Sequence, residues 1–201
     1  MVRCLGGDVL SPEDVPAIEA ACSKADAVLI GPGLGTAPET AEAVRALVSR
    51  IKVPIVIDAD GLTCSGSDVP DLKNVILTPH SRELSRLTGK DDPSDEEVLQ
   101  FCKERGCVIL RKGPVDRIYS PSGMRSNKTG TPGMTVGGTG DVLAGLVAGL
   151  VSKDMSGFDA ACLGAYISGA AGELAFTAHS YGMSATDVID NIGRVLKEGL
   201  E

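Results

Sequence analysis

Apolar positions in this chain fall into two patterns: short unbroken runs ending in glycine or polar residues, and longer stretches with apolar residues three and four apart. Ala27-Val28-Leu29-Ile30 stops at Gly31-Pro32-Gly33-Leu34-Gly35, and from Pro38 to Ile51 apolar residues recur at 43, 44, 47, 48 and 51. That spacing predicts a strand, a loop and a helix. Pro54-Ile55-Val56-Ile57 runs into Asp58-Ala59-Asp60-Gly61, and Asn74-Val75-Ile76-Leu77 runs into Thr78-Pro79-His80, each a β-branched run with polar residues at its C-terminal end. Helices are expected over 81–87 and 94–104, then a strand over 107–110 closing on Arg111-Lys112-Gly113, with a further strand over 115–119. The Gly-, Ser- and Pro-rich stretch from Pro121 to Thr135 reads as a loop, and the remainder as helices over 141–152, 157–177 and 185–200.

Strands that are apolar throughout are buried on both faces, which is the mark of a parallel sheet. The expected fold class is therefore α/β, a doubly wound, mostly parallel sheet in three αβα layers, forming one domain over 1–201. In such sheets ligands sit outside the carboxyl ends of the strands, where the polar motifs of this chain lie. Lys and Arg number 19 against 27 Asp and Glu, a net charge of −8, which argues against a nucleic-acid backbone or an anionic membrane as partner. Aromatics make up 3% with no Trp, too few for base-stacking platforms. The uncharged apolar run from Val142 to Val151 falls well short of the roughly 18 residues that span a bilayer. The start, Met1 to Gly7, has no signal-peptide pattern, and the six scattered cysteines lack zinc or redox spacing, so a reducing, cytoplasmic location is expected.

The sharpest feature is Gly137-Gly138-Thr139-Gly140-Asp141, which opens an apolar helix. Glycines there free the backbone to aim successive N–H groups at one point, and the helix that follows adds a positive dipole end, together an anion hole. Asp141 in the first turn suits a base that takes a proton from a hydroxyl attacking a bound phosphate, or simply a helix-terminal charge. Gly145 and Gly149, four apart, read as close helix packing. The glycines of the 31–35 loop could admit a ligand or make a tight connection. Asp58 and Asp60 could hold magnesium or, for Asp60, cap the next helix. His80 stands at a strand end with Glu83 within reach, while His179 reads as structural for want of an acidic neighbour. Lys112 before Gly113 could touch phosphate or form an ordinary salt bridge. Catalysis by cysteine has no local signature.

Five motifs in order carry a resemblance: the 31–35 loop, 58–62, Leu77 to Leu84, Leu110 to Gly113, and Gly130 to Leu143. The chain resembles the ADP- or ATP-dependent NAD(P)H-hydrate dehydratases, a branch of the ribokinase-like superfamily. The Thr78-Pro79-His80 element and the Pro132-Gly133-Met134 run single out this branch. The resemblance implies repair of hydrated NADH or NADPH: ADP or ATP, with Mg2+, phosphorylates the ring hydroxyl, and loss of phosphate restores the reduced dinucleotide. By position it implies Asp141 as base, Gly137, Gly138, Thr139 and Gly140 as anion hole, and Gly33, Gly35, His80 and Asp141 as substrate contacts. Lys112, Gly113, Pro114, Val115, Asp116 and Gly140 would bind the nucleotide, no metal ligands are assigned, and a homo-oligomer is expected. Asp116 stands where the family frequently has Thr. Family members also carry a further N-terminal part, whereas the first motif here arrives at residue 31; a shortened sheet edge would favour association with another chain. Two other readings stay open on the motifs alone: a ribokinase-like kinase of a vitamin-precursor alcohol, and a nucleotide-binding module without turnover.

Overall fold

The apolar runs form four short parallel strands whose alternate residues face opposite ways, so the three inner ones each contribute to two cores. A computed structural model describes residue 2, residues 4–66 and residues 72–199. Strands β1 (Val28–Ile30), β2 (Ile55–Ile57), β3 (Val75–Leu77) and β4 (Val108–Arg111) pair in parallel in chain order. Two antiparallel strands, β5 (Asp116–Ser120) and β6 (Gly123–Asn127), complete a six-stranded sheet. The sheet is mostly parallel and three-layered, as expected.

Ile55, Ile57, Leu77, Ile109 and Tyr119 point to one face. Helices α1 (Val15–Cys22), α2 (Pro38–Arg50), α4 (Ser81–Thr88) and α5 (Asp95–Arg105) cover it with Val15, Val44, Leu47, Leu84 and Val98. Right-handed crossovers between consecutive strands place their helices on this same side. Val56, Ile76, Leu110 and Ile118 point the other way, onto α6 (Thr139–Val151) and α7 (Gly157–His179). The second layer thus comes from the C-terminal third of the chain, where α7 also packs on α8 (Ala185–Glu198) through Ile167, Ala171, Val188 and Val195. Among the described strands, β1 has a neighbour on one side alone, and Leu29 on it is 36% exposed. No helix of the described residues is long and apolar enough to cross a membrane.

Three expectations change. The stretch read as a loop from Pro121 to Thr135 contains β6, whose residues 123–127, apolar at Met124 alone, are ordered by pairing with β5 rather than by an apolar pattern of their own. Gly145 and Gly149 do not mediate helix packing: a Cβ at either would meet nothing within 4 Å. The close approach of α6 and α7 uses Gly164 instead, where a Cβ would stand 2.7 Å from a methyl of Val147. The last helix ends at Glu198, and Leu200, the expected end, lies outside the described residues.

These placements predict opposite effects for the same substitution. Gly145→Ala should raise stability by about 1 kcal/mol, because a helix-interior glycine costs that much where space is free. Gly164→Ala should lower it by about 1–3 kcal/mol through overpacking against Val147. Urea unfolding of the two variants checks both signs.

Candidate active site

The carboxyl ends of β1 to β4 deliver the polar motifs to one edge of the sheet. After β1, Gly31 adopts φ +133°, and a Cβ there would overlap the carbonyl oxygen of Asp58, so the 31–35 loop lies directly on the turn after β2. Two side chains pin the loop further along. Asp60 Oδ2 accepts the Gly35 N–H at 2.9 Å, and the Cys64 thiol donates to the Gly35 carbonyl at 3.5 Å. Helix α3 (Asp60–Ser65) includes Asp60, expected as its cap, and takes Ala59 as its cap instead, at φ 49°. Asp60 is therefore in the first turn and spends its carboxylate on the loop rather than on capping. A non-glycine residue at positive φ stores backbone strain, held here by the hydrogen bonds on either side.

Asp58 is 1% exposed, and its Oδ1 accepts from Lys112 Nζ at 2.6 Å. Asp58 follows β2 and Lys112 follows β4, so this ion pair spans the end of β3. The backbone there is tied as well: Lys112 N–H donates to the Pro79 carbonyl at 2.8 Å, and His80 and Lys112 form an isolated parallel bridge. His80 caps α4, with Nδ1 accepting the N–H groups of Arg82 and Glu83 while Glu83 accepts the His80 N–H at 2.8 Å. The half-exposed imidazole is thereby oriented, with Nε2 3.4 Å from Glu83 Oε1.

On the other side of Lys112 lies the start of α6. Gly140 approaches the pair closely enough that a Cβ would sit 3.6 Å from Lys112 Nζ and 3.8 Å from Asp58 Oδ2. Within the motif, Gly138 alone takes a left-handed conformation, φ 94°, as the helix cap. No side chain caps this helix, so the first-turn N–H groups keep their capacity for an anion. The Thr139 hydroxyl is not an additional donor to that point, since it bonds the Met134 and Val136 carbonyls at 2.8 and 3.0 Å and so fixes the incoming loop. Asp141 is exposed in the first turn, with no hydrogen-bond or ion-pair partner among the described residues.

Lys112, Gly113, Pro114, Asp116, Thr139 and Gly140 line one cleft of about 550 Å³. Its opposite wall is Thr129 to Thr135, which holds the Pro132-Gly133-Met134 run and reads in the sequence as loop, with no contact role assigned to it. This wall is pressed onto α7: a Cβ at Gly169 would overlap Thr129, one at Gly172 would overlap Met134, and Glu173 accepts the Gly130 N–H at 2.8 Å. Burial pushes the Asp116 carboxyl above the ordinary carboxylate range. Val115 is exposed and lies outside the cleft lining. Gly33 lines a separate hollow of about 630 Å³ beside β1. His179 has the acidic neighbour it seemed to lack, Asp187 Oδ1 at 3.5 Å, a contact 8 positions along the chain that turns back through the start of α8.

Comparison with known proteins places the chain in a family. The NAD(P)H-hydrate dehydratase family model matches residues 6–194. The bifunctional NAD(P)H-hydrate repair enzyme Nnr of Methanopyrus kandleri is 42% identical over 202 residues, which cover 97% of this chain and 40% of that protein. The ADP-dependent (S)-NAD(P)H-hydrate dehydratase of Haloterrigena turkmenica is 43% identical over 168 residues, 84% of this chain and 62% of that protein. Among solved structures, the ADP/ATP-dependent NAD(P)H-hydrate dehydratase of Bacillus subtilis co-crystallised with ATP/Mg2+ superposes with a TM-score of 0.71 at 28% identity, over 90% of this chain and 69% of that one. The chain spans about 40% of the length of the bifunctional relatives it matches. A match that runs through every element bearing the cleft makes this chain a member of the NAD(P)H-hydrate dehydratase family.

Proposed function

We propose that the cleft moves a phosphoryl group from ADP or ATP onto the ring hydroxyl of hydrated NADH or NADPH, after which phosphate leaves and the reduced dinucleotide is restored. The observation that carries the reading is the uncapped start of α6, with Asp141 in its first turn and Lys112 beside Gly140. Phosphoryl transfer asks chiefly for positioning and charge neutralisation. First-turn N–H groups of α6 and the Lys112 ammonium supply donors around the equatorial oxygens of the transferring group. The Asp141 carboxylate takes the hydroxyl proton as the oxygen–phosphorus bond forms, and AMP or ADP departs. Phosphate then leaves the ring carbon with its bonding electrons while a neighbouring ring proton is lost, which closes the double bond.

The nucleotide enters from the Lys112–Asp116 side, and the dinucleotide meets His80 and the 31–35 loop. Magnesium comes with the nucleotide as its salt. Among the described residues no group of three or more His, Cys, Asp or Glu is arranged as a metal cage. Asp58 and Asp60 are engaged by Lys112 and by the Gly35 N–H. That leaves the nucleotide's phosphates and water as the main ligands, the usual situation for this ion.

Purified protein incubated with hydrated NADH or NADPH, magnesium and either nucleotide should recover the reduced-nicotinamide absorbance only when nucleotide is present. Asp141→Asn should slow recovery by about 10²–10⁴-fold. A phosphorylated dinucleotide that accumulates without absorbance recovery would overturn the dehydratase reading in favour of a kinase. Lys112→Met should lower stability by about 2–4 kcal/mol, because it strands a buried Asp58, and should slow turnover by about 10²-fold. Asp58→Asn combined with Lys112→Met should regain most of the melting temperature and none of the turnover, which separates the two roles.

A further inference from the structure

Behind the nucleotide side of the cleft, a hydrogen-bonded chain joins the two walls. Asp116 opens β5 and Asn127 closes β6, and the two are direct cross-strand partners. Asp116 Oδ1 accepts the Gly113 N–H at 3.1 Å, and its Oδ2 accepts from Asn127 Nδ2 at 3.2 Å. Asn127 turns its other end to the opposite wall: Oδ1 accepts the Thr129 N–H at 3.3 Å and lies 2.9 Å from the Thr129 hydroxyl. Gly113 lines one side of the cleft, and Thr129 lines the other.

We propose that Asp116 and Asn127 are positioning residues that set the spacing of the two cleft walls, and through it the affinity for the adenine nucleotide, without touching the reacting atoms. The inference rests on the nucleotide reading given above. Its force lies in the polarity of the chain. An ionised Asp is acceptor-only, so Asn127 must present its amide NH2 to Asp116 and its carbonyl to Thr129. Asp116→Asn has a single acceptor oxygen for these two donors, so its NH2 faces either the Asn127 NH2 or the Gly113 N–H. Rotating Asn127 as well would set its NH2 against the Thr129 N–H, so in every arrangement one donor of the chain, at Gly113, Asn127 or Thr129, loses its acceptor. Exchanging the two residues restores complementarity, because Asn at 116 donates to a carboxylate at 127 that also accepts from Thr129. Burial already raises the Asp116 carboxyl, so a broken contact there is not repaired by water at no cost.

The test compares the parent, Asp116→Asn, Asn127→Asp and the exchanged double variant by calorimetric titration with ADP and with ATP in magnesium, by steady-state kinetics on hydrated NADH, and by melting temperature. Asp116→Asn should weaken nucleotide binding and raise the nucleotide KM by about tenfold, with kcat within about twofold of the parent. Asn127→Asp should weaken binding at least as much, because two carboxylates then face each other. The double variant should return to within about threefold of the parent. Unchanged binding in the single variants, a double variant no better than the worse single one, or a fall in kcat and melting temperature at unchanged KM would each overturn the proposal. If Asp116→Asn does not fold, Asn127→Asp against the double variant makes the same comparison. A parent that binds neither nucleotide would overturn the underlying reading as well, whereas a parent that binds while all variants bind equally overturns this inference alone.

Discussion

The ion pair between Lys112 and Asp58 is the contact on which the polar edge of the sheet depends. Its partners follow strands that are not neighbours, so the pair ties the ends of β2 and β4 across β3 and leaves the ammonium beside the first turn of α6. A carboxylate with 1% exposure needs a partner of opposite charge, and a lysine needs a reason to stay extended over a strand end. Each meets the other's requirement. The 31–35 loop then rests on the Asp58 carbonyl, the His80 cap is held through the backbone bridge to Lys112, and Gly140 stands beside the ammonium, so all five motifs meet at one salt bridge.

Much of this was legible in the chain. Runs such as Ile55-Val56-Ile57 have no polar position to place in solvent, which fixes them as strands buried on both faces, and their polar C-terminal neighbours mark the edge where ligands bind. The parts that were not legible depend on contacts distant in sequence. β6 is a polar strand that exists because β5 supplies its hydrogen bonds. Gly145 and Gly149 are four apart and therefore share a face, but periodicity does not say whether that face meets a helix or solvent. Asp58 was visible as an acid at a strand end, while its partner stands 54 residues on.

The site also shows how one motif divides its labour. In the glycine-Asp run, Gly138 supplies the left-handed turn, Gly140 gives room beside Lys112, and Thr139 ties down the loop that enters the helix. Short glycine patterns are weak evidence because these duties look alike in sequence. They separate once the neighbours are known.

The wall formed by Thr129 to Thr135 is irregular in outline, yet it is bolted to α7 by close contacts at Gly169 and Gly172 and by the Glu173 carboxylate. Irregular segments are ordinarily where a family tolerates added or lost residues. Here that freedom is withdrawn, since one inserted residue would move every contact out of step with the helix beneath. An added residue is accommodated more easily in the tight, exposed turn between β5 and β6, which no helix of the described residues holds in place.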